Sequence, residues 1–359
     1  MNIVKATKRY ELWLGKKIRL LQDDLDRKHA AMAQDSFSFL RATFYRWMLL
    51  WTELCHDCAQ APEVLAVGDL HVENFGTWRD IEGRLVWGIN DFDEVCRLPY
   101  TVDLVRLAAS AHLAIKGAHL AIRAKDACDA ILAGYQEGVT TGGRAFVLEE
   151  HHPWLRSMVT SVLRDPEHYW AKLEALAPEP RIPASARKAI EKLLPAKGLR
   201  YRVAHRIAGL GSLGRERYVA IAEFHGGKIA REAKALAPSA AAWVRGVKSA
   251  PLYYEEALER SVRSIDPFVH MKGKWIVRRL APHCSRVELS SMPKQRDETR
   301  LLRAMGFETA NVHLGTRRAA NAILADLRAR PKLWLHRAAS AMVDATIHDW
   351  ETWRAQHKT

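Results

Sequence analysis

Asp69 and Asn74 stand five positions apart in the run GDLHVENFG, and Asp91 and Asp93 stand two apart in NDFDE. Three carboxylates and a carboxamide in two tight clusters form an oxygen-donor set. Phosphoryl transfer from a nucleotide asks for little more: a carboxylate to orient the attacking hydroxyl, and oxygen ligands to hold Mg²⁺ on the phosphates. His71 lies between Asp69 and Asn74, where it could contact the acceptor or a phosphate or brace the loop.

The clusters need elements to bring them together. Val64 to Val67 is a short apolar strand leading into Gly68. Ile81-Glu82-Gly83-Arg84 reads as a turn, with Leu85 to Ile89 as the returning strand, so one β-hairpin separates the two clusters. Upstream, residues 8–34 carry apolar positions at helical spacing and 37–54 continue as a strongly apolar helix, with Ser36 as a plausible cap between them. Downstream of Thr101 the pattern is helical to about residue 195, punctuated by Pro153, Pro166 and the Pro178–Pro183 region.

Near residue 200 the texture changes. YRVAHRIA alternates, then comes Gly209-Leu210-Gly211-Ser212-Leu213-Gly214, then RERYVAIAEF alternates, then Gly226-Gly227, then KIAREAKAL. This predicts strand, glycine-rich turn, strand, two-residue hairpin turn, strand. A helix over about 252–264, strands around 268–280 and helices from about 294 complete the chain. The Gly-x-Gly-x-x-Gly spacing serves two phosphate-binding devices, and context separates them. In the dinucleotide fingerprint the third glycine opens a helix; here a strand follows. A glycine-rich turn between antiparallel strands is the kinase-type lid, whose backbone amides lie over nucleotide phosphates. Gly209, Gly211, Ser212 and Gly214 are the candidate phosphate contacts. Such a site needs a lysine on the next strand, steadied by a helix glutamate. Lys234 is the candidate, with Lys228 on the same strand face and Arg231 on the other; Glu255, Glu256 and Glu259 are the possible partners.

The composition is that of a globular protein, 48% hydrophobic and 27% charged. No apolar run is long enough to span a membrane and the start lacks the apolar core of a secretory signal, so the expected location is cytoplasmic. Five scattered cysteines are expected to be reduced. Cys55-His56-Asp57-Cys58 reads as a helix end with free thiols, because no second pair follows at zinc-site spacing. The net charge of +14 is uneven: residues 1–180 carry 21 Lys+Arg against 25 Asp+Glu, and residues 181–359 carry 34 against 16. An acidic half beside a basic half suits a cleft with metal on one wall and phosphate on the other. The dispersed basic residues, without interleaved aromatics, do not favour nucleic acid as a partner.

Asp69-x-x-x-x-Asn74 has the spacing of the protein-kinase catalytic loop, and Gly68-Asp69-Leu70-His71-x-x-Asn74 resembles the version in aminoglycoside and choline phosphotransferases. Ile89-Asn90-Asp91-Phe92 resembles their second metal-binding motif, and Leu98-Pro99-Tyr100-x-x-Asp103-Leu104 the following segment, whose Asp braces the catalytic loop. GDLHVENFG, NDFDE, FSFLRATFYRW, GLGSLG and AKALAPSA together resemble a large bacterial family described only as a domain of unknown function and thought to be kinase-like. One departure from kinases is large: Asp69 precedes Gly209, so the lobes are written in permuted order. Val67 also replaces a His that many relatives carry. The resemblance implies Asp69 as the base, Asn74 and Asp91 as Mg²⁺ ligands, Asp93 as a second-ion or orienting carboxylate, and an adenine-reading hinge near Val277 to Pro282. Arg278, Arg279 and Arg286 could meet phosphate or an acidic substrate, or pair with the acidic half.

The expected fold is α+β and protein-kinase-like in two lobes: residues 1–198 a helical large-lobe portion, 199–292 a β-rich nucleotide-binding lobe, and 293–359 C-terminal helices packing on the large lobe. The expected function is an ATP- and Mg²⁺-dependent phosphotransferase acting on an unidentified hydroxyl acceptor, small molecule or protein. Transfer of AMP on the same fold is one alternative; a non-catalytic ATP-binding regulator or basic nucleic-acid-binding protein is another. The possible acceptor wall is residues 104–195, with Glu149 and Glu150 among its acidic residues.

Overall fold

TVDLVRLAASAHLAIK carries apolar side chains on every face, the pattern of a helix with no solvent side. It folds as the helix Thr101–Lys116, buried at every position from 101 to 114. A computed structural model describes residues 1–149, 151–160, 165–284, 286–289, 292–293 and 296–357. Around this central helix pack Ala124–Thr141, Glu298–His313 and Trp334–Gln356, and the last two bring the end of the chain back onto its first half. Ala124–Thr141 and Glu298–His313 make the most extensive helix–helix contact, and glycines allow it. A Cβ on Gly134 would overlap the carbonyl oxygen of Arg303, and one on Gly306 would overlap that of Ile131.

The N-terminal apolar segments are each broken in two. Residues 8–34 lie in Ile3–Gly15 and Gln22–Gln34, and 37–54 in Ser36–Ala42 and Phe44–Leu54. The second break falls at Thr43, whose Oγ1 donates to Phe39 O (2.7 Å) while its backbone leaves helical geometry (φ −125°, ψ 37°). Asp35, not Ser36, is the cap: it is extended and its Oδ1 accepts from Ser38 N, whereas Ser36 is already helical.

Among the described residues, ten strands form three antiparallel sheets. β1 (Glu63–Ala66) pairs with β4 (Cys96–Pro99), framing the two acidic clusters. β2 (Phe75–Arg79) and β3 (Leu85–Ile89) form the expected hairpin, with β5 (Phe146–Val147) on the edge of β3. The third sheet has β6 (Arg202–His205), β7 (Arg217–Phe224), β8 (Gly227–Ala235), β9 (Val269–Lys272) and β10 (Trp275–Leu280) in the order 6-7-8-10-9. The strands expected between residues 201 and 280 are therefore present, as is a helix at Tyr254–Arg260. The β7–β8 turn lies one residue earlier than expected, at His225-Gly226. Both residues have positive φ (49° and 77°), as a two-residue hairpin with primed geometry requires.

The architecture is mixed α+β. No helix among the described residues is long and apolar enough to cross a membrane. All five cysteines are free thiols, four of them buried. Gly134→Ala and Gly306→Ala should each cost about 1–3 kcal/mol in urea denaturation, because the two helices must separate to admit the methyl group. Gly227→Ala, where a Cβ meets nothing nearer than 4.0 Å, should stay within about 0.5 kcal/mol.

Candidate active site

Hairpin register brings the two acidic clusters together. Phe75 pairs with Ile89, and beyond that pair Asn90 N donates to Asn74 O (3.2 Å), so Asn74 and Asp91 meet at the open end while the turn lies at the far tip. Asn74 Nδ2 donates to the main-chain oxygens of Asp69 (3.2 Å) and Asp91 (3.1 Å), tying both loops to one carboxamide. That leaves Asn74 Oδ1 buried and without a hydrogen-bond partner among the described residues.

The loop bearing Asp69 is held from beneath by polar residues on one stripe of the central helix, at positions 103, 106 and 110. Asp103 accepts from Val67 N (2.6 Å), Gly68 N (2.8 Å) and His313 Nε2 (2.8 Å). Ser110 Oγ accepts from Val72 N (3.0 Å). Arg106, wholly buried against the rings of Phe44 and Trp47, donates through Nε (2.8 Å) and Nη2 to Asp69 Oδ1. Asp103 thus braces the loop as its place in the motif implies. Arg106 was not anticipated; its position one helical turn after Asp103 was the available signal.

Burial raises the Asp69 carboxyl above its ordinary value against the pull of Arg106, which favours a proton-accepting role. His71 is buried, and desolvation together with Arg41, Arg286 and Arg106 holds it neutral, well below its usual range. Its Nδ1 accepts from Glu73 N (3.2 Å), so the proton resides on Nε2. His71 therefore both braces the loop and lines the cavity.

The five-stranded sheet supplies the opposite wall. Its register aligns Arg217, Lys234 and Ile276 in one row and Val219, Glu232 and Arg278 in the next, all on one face. Lys234, 2% exposed, reaches across to Asp93 (2.5 Å) and Asp91 (3.3 Å). No helix glutamate steadies it: Glu256 pairs with Arg97 and Arg260, and Glu255 and Glu259 are exposed. The expected Lys–Glu pair is replaced by a lysine between two carboxylates. Lys228 pairs with Glu174, and Arg231 donates to Leu193 O, so neither competes for the site.

Burial opposes ionisation of Asp91, but Lys234, the link to Asp93, Arg278 and Arg217 hold its carboxyl far below the ordinary range. Burial and the adjacent Asp91 charge push Asp93 upward. Asp93 is thus a buried partner of Lys234, not a solvated loop carboxylate. Glu232, fully buried, pairs with three guanidiniums: Arg206, Arg217 (3.0 Å) and Arg278 (2.9 Å). One carboxylate leaves this wall net cationic. Arg278, Arg279 and Arg286 form ion pairs with Glu232, Asp266 and Glu288 of their own half, and Arg279 also donates to Arg79 O (3.0 Å) in the acidic half. Glu232 and Arg217 were not anticipated; the available signal was that Glu232 stands two positions before Lys234, on the same strand face.

Gly209–Gly214 joins β6 to β7 and folds onto Asp69. A Cβ on Gly211 would stand 3.2 Å from Asp69 Oδ2 and 3.0 Å from Arg41 O, so only glycine fits without displacement. Gly209 and Gly214 take φ of 75° and 94°. Ser212 is buried, its Oγ accepting from Arg217 Nη2 (2.7 Å). The N-terminal helices grip the loop: Leu21 N donates to Gly214 O (2.8 Å) and Lys28 Nζ to Gly211 O (3.0 Å). Burial lowers the Lys28 ammonium to about 8.

One cavity of about 440 Å³ is lined by Asp69, His71, Asn74, Asp91, Asp93, residues 209–212 of the glycine loop, and Arg206, Arg217, Arg278 and Arg286; Gly214 and Lys234 do not line it. Among the described residues of 104–195, only Tyr169, Lys172, Leu173 and Leu176 reach it. Glu149 accepts from Leu85 N and pairs with Arg156 away from the cavity. Glu150 lies outside the described residues.

Residues 20–165 match a family model described as "Uncharacterized protein conserved in bacteria (DUF2252)". The match takes in both acidic clusters and the bracing helix and ends before the glycine loop. No curated protein and no solved structure matches the chain.

Below the Asp91 strand, Glu308 accepts from Ile89 N (3.2 Å) and Asn311 Nδ2 (2.7 Å), and burial pushes its carboxyl up to about 7 despite Arg263. The folded state thus binds this proton more tightly than the unfolded chain, whose glutamate has a pKa of about 4.3. Its stabilising effect is complete below that value and is lost as pH rises through about 7. Glu308→Gln should remove this loss. Denaturation between pH 4.5 and 8 should show a wild-type decline from this group on the order of 2–3 kcal/mol that flattens in the variant.

Proposed function

We propose that this protein is an ATP- and Mg²⁺-dependent phosphotransferase that acts on a hydroxyl acceptor. The observation that carries the reading is a convergence. Asp69, Asn74 and Asp91 meet residues 209–212 of the glycine turn around one cavity, with Lys234 paired to Asp91, although more than a hundred residues of chain separate the two sets. The first two strands of the third sheet flank a glycine turn and the third carries the lysine, the order expected of a kinase-type nucleotide grip, which supports this reading. The catalytic-loop half precedes it in the chain, consistent with permuted lobes in a kinase-like fold.

The donor set fits the metal. Asn74 Oδ1 is a buried oxygen without a partner, and Asp91 is held ionised beside it, giving the hard oxygen ligands that Mg²⁺ prefers. Mg²⁺ bound there would neutralise charge on the transferring phosphate. Asp69, oriented through Oδ1 by Arg106, would accept the hydrogen bond of the acceptor hydroxyl and take its proton late. The proton on His71 Nε2 is available to the acceptor. Lys234 and the arginines around Glu232 would attract the triphosphate to the sheet wall. The base would sit near β10 and the 277–282 segment, where Leu280 packs with Tyr169 and Leu173.

Asp69→Asn preserves the shape of the Arg106 partner. It should cut Mg²⁺-dependent ATP turnover by at least about 100-fold while leaving ATP binding within a few-fold of wild type. Asp91→Asn should abolish the Mg²⁺ dependence of ATP binding in calorimetry. Turnover within tenfold of wild type in Asp69→Asn would reject the assigned base.

A further inference from the structure

Away from this cavity, three helices bring two imidazoles and a thiol to one point. His112 comes from Thr101–Lys116, Cys128 from Ala124–Thr141 and His336 from Trp334–Gln356. Their donor atoms lie within 4.8 Å of one another, the one such His/Cys/carboxylate group among the described residues. We propose that His112, Cys128 and His336 form a structural site for a divalent cation of the Zn²⁺ class, with a fourth position open to water.

The dimensions suit such an ion. Bonds of about 2.0–2.1 Å to nitrogen and 2.3 Å to sulfur place tetrahedral ligands roughly 3.3–3.7 Å apart. His112 Nε2 and Cys128 Sγ already stand 3.3 Å apart. His112 and His336 meet edge to face with ring centroids 5.3 Å apart, and the His336 donor lies within 4.8 Å of the other two. His336 Nδ1 is buried with no hydrogen-bond partner among the described residues, a cost that a metal bond would remove. Cys128 and His112 are buried while His336 is half-buried, which leaves an approach from its side.

A nitrogen–sulfur set selects a borderline ion over Mg²⁺, so this site and the oxygen set at Asp91 would not compete for one metal. Binding requires the Cys128 thiol to release its proton to solvent as the metal–sulfur bond forms. The ion would pin the end of the helix that carries Asp103, Arg106 and Ser110, at about 1.5 Å per residue some 13 Å beyond Asp103. This inference does not depend on the proposed phosphotransferase activity.

The test uses the full chain, reduced and stripped by chelator, titrated with Co²⁺ alone. One equivalent should bind, giving a near-ultraviolet thiolate-to-cobalt band and visible bands of tetrahedral cobalt, both displaced by Zn²⁺. Cys128→Ser should abolish the thiolate band with an unchanged far-ultraviolet circular dichroism spectrum. His336→Ala, at a half-buried position, should weaken binding at least about 100-fold, more than the loss of an outer contact typically costs. Zn²⁺ should raise the Tm of wild type by several degrees and leave that of Cys128→Ser unmoved. The Cys55→Ser, Cys58→Ser double variant should bind as wild type. No thiolate band at saturating Co²⁺, a band that persists in Cys128→Ser, or one that vanishes in the Cys55, Cys58 double variant would overturn the site.

Discussion

Lys234 enters the interior from the third strand of a β-sheet and ends between Asp91 and Asp93, which belong to a loop 143 residues earlier. A buried ammonium is tolerable only when paired, and two adjacent buried carboxyls need either a shared proton or a cation between them, which Lys234 supplies here. Each side therefore requires the other. The contact fixes the distance between the sheet and the loops, and with it the width of the cavity. It also sets the electrostatics, holding Asp91 ionised and leaving Asp93 as the more basic of the two.

The surrounding structure keeps that contact in place. The central helix holds the Asp69 loop by Asp103, Arg106 and Ser110, and Asn74 links that loop to Asp91 through two main-chain oxygens. On the other wall, Glu232 gathers three guanidiniums so that they face the cavity without repelling one another outward. Arg215 adds a second tether, pairing with Glu94, whose other oxygen accepts from Ala240 N (2.6 Å). The glycine turn closes over Asp69 because Gly211 lacks a side chain and because Leu21 and Lys28 hold its carbonyls.

Much of this was legible in the chain because it is local. The β2–β3 hairpin, the glycine turn and the three alternating segments after residue 200 follow from period-two patterning and turn residues, which act over a few positions. The Asp69–Asn74 and Asp91–Asp93 clusters were legible because their residue types are rare between apolar strands. What escaped were contacts set by tertiary packing. Arg106 and Glu232 look like surface charges until the helix and sheet bury them, and the partner of Lys234 depends on which element the folded chain places against β8. A helix glutamate was expected there, but the Asp91 loop occupies that place. Thr43 and Asp35 show the same limit at smaller scale: which hydroxyl or carboxylate breaks or caps a helix is decided by backbone geometry that neighbouring residue types do not specify.

A phosphotransferase built this way must have two distant segments share one nucleotide. A crystal structure of the full chain with a non-hydrolysable ATP analogue and Mg²⁺ tests that most directly. It should show backbone amides of Gly209–Gly214 over the same phosphates that Asp91 and Asn74 reach through the metal, with Lys234 moved from Asp93 towards a phosphate oxygen. A nucleotide bound elsewhere, or phosphates that meet the glycine turn while Asp91 stays bound to Lys234 alone, would contradict it.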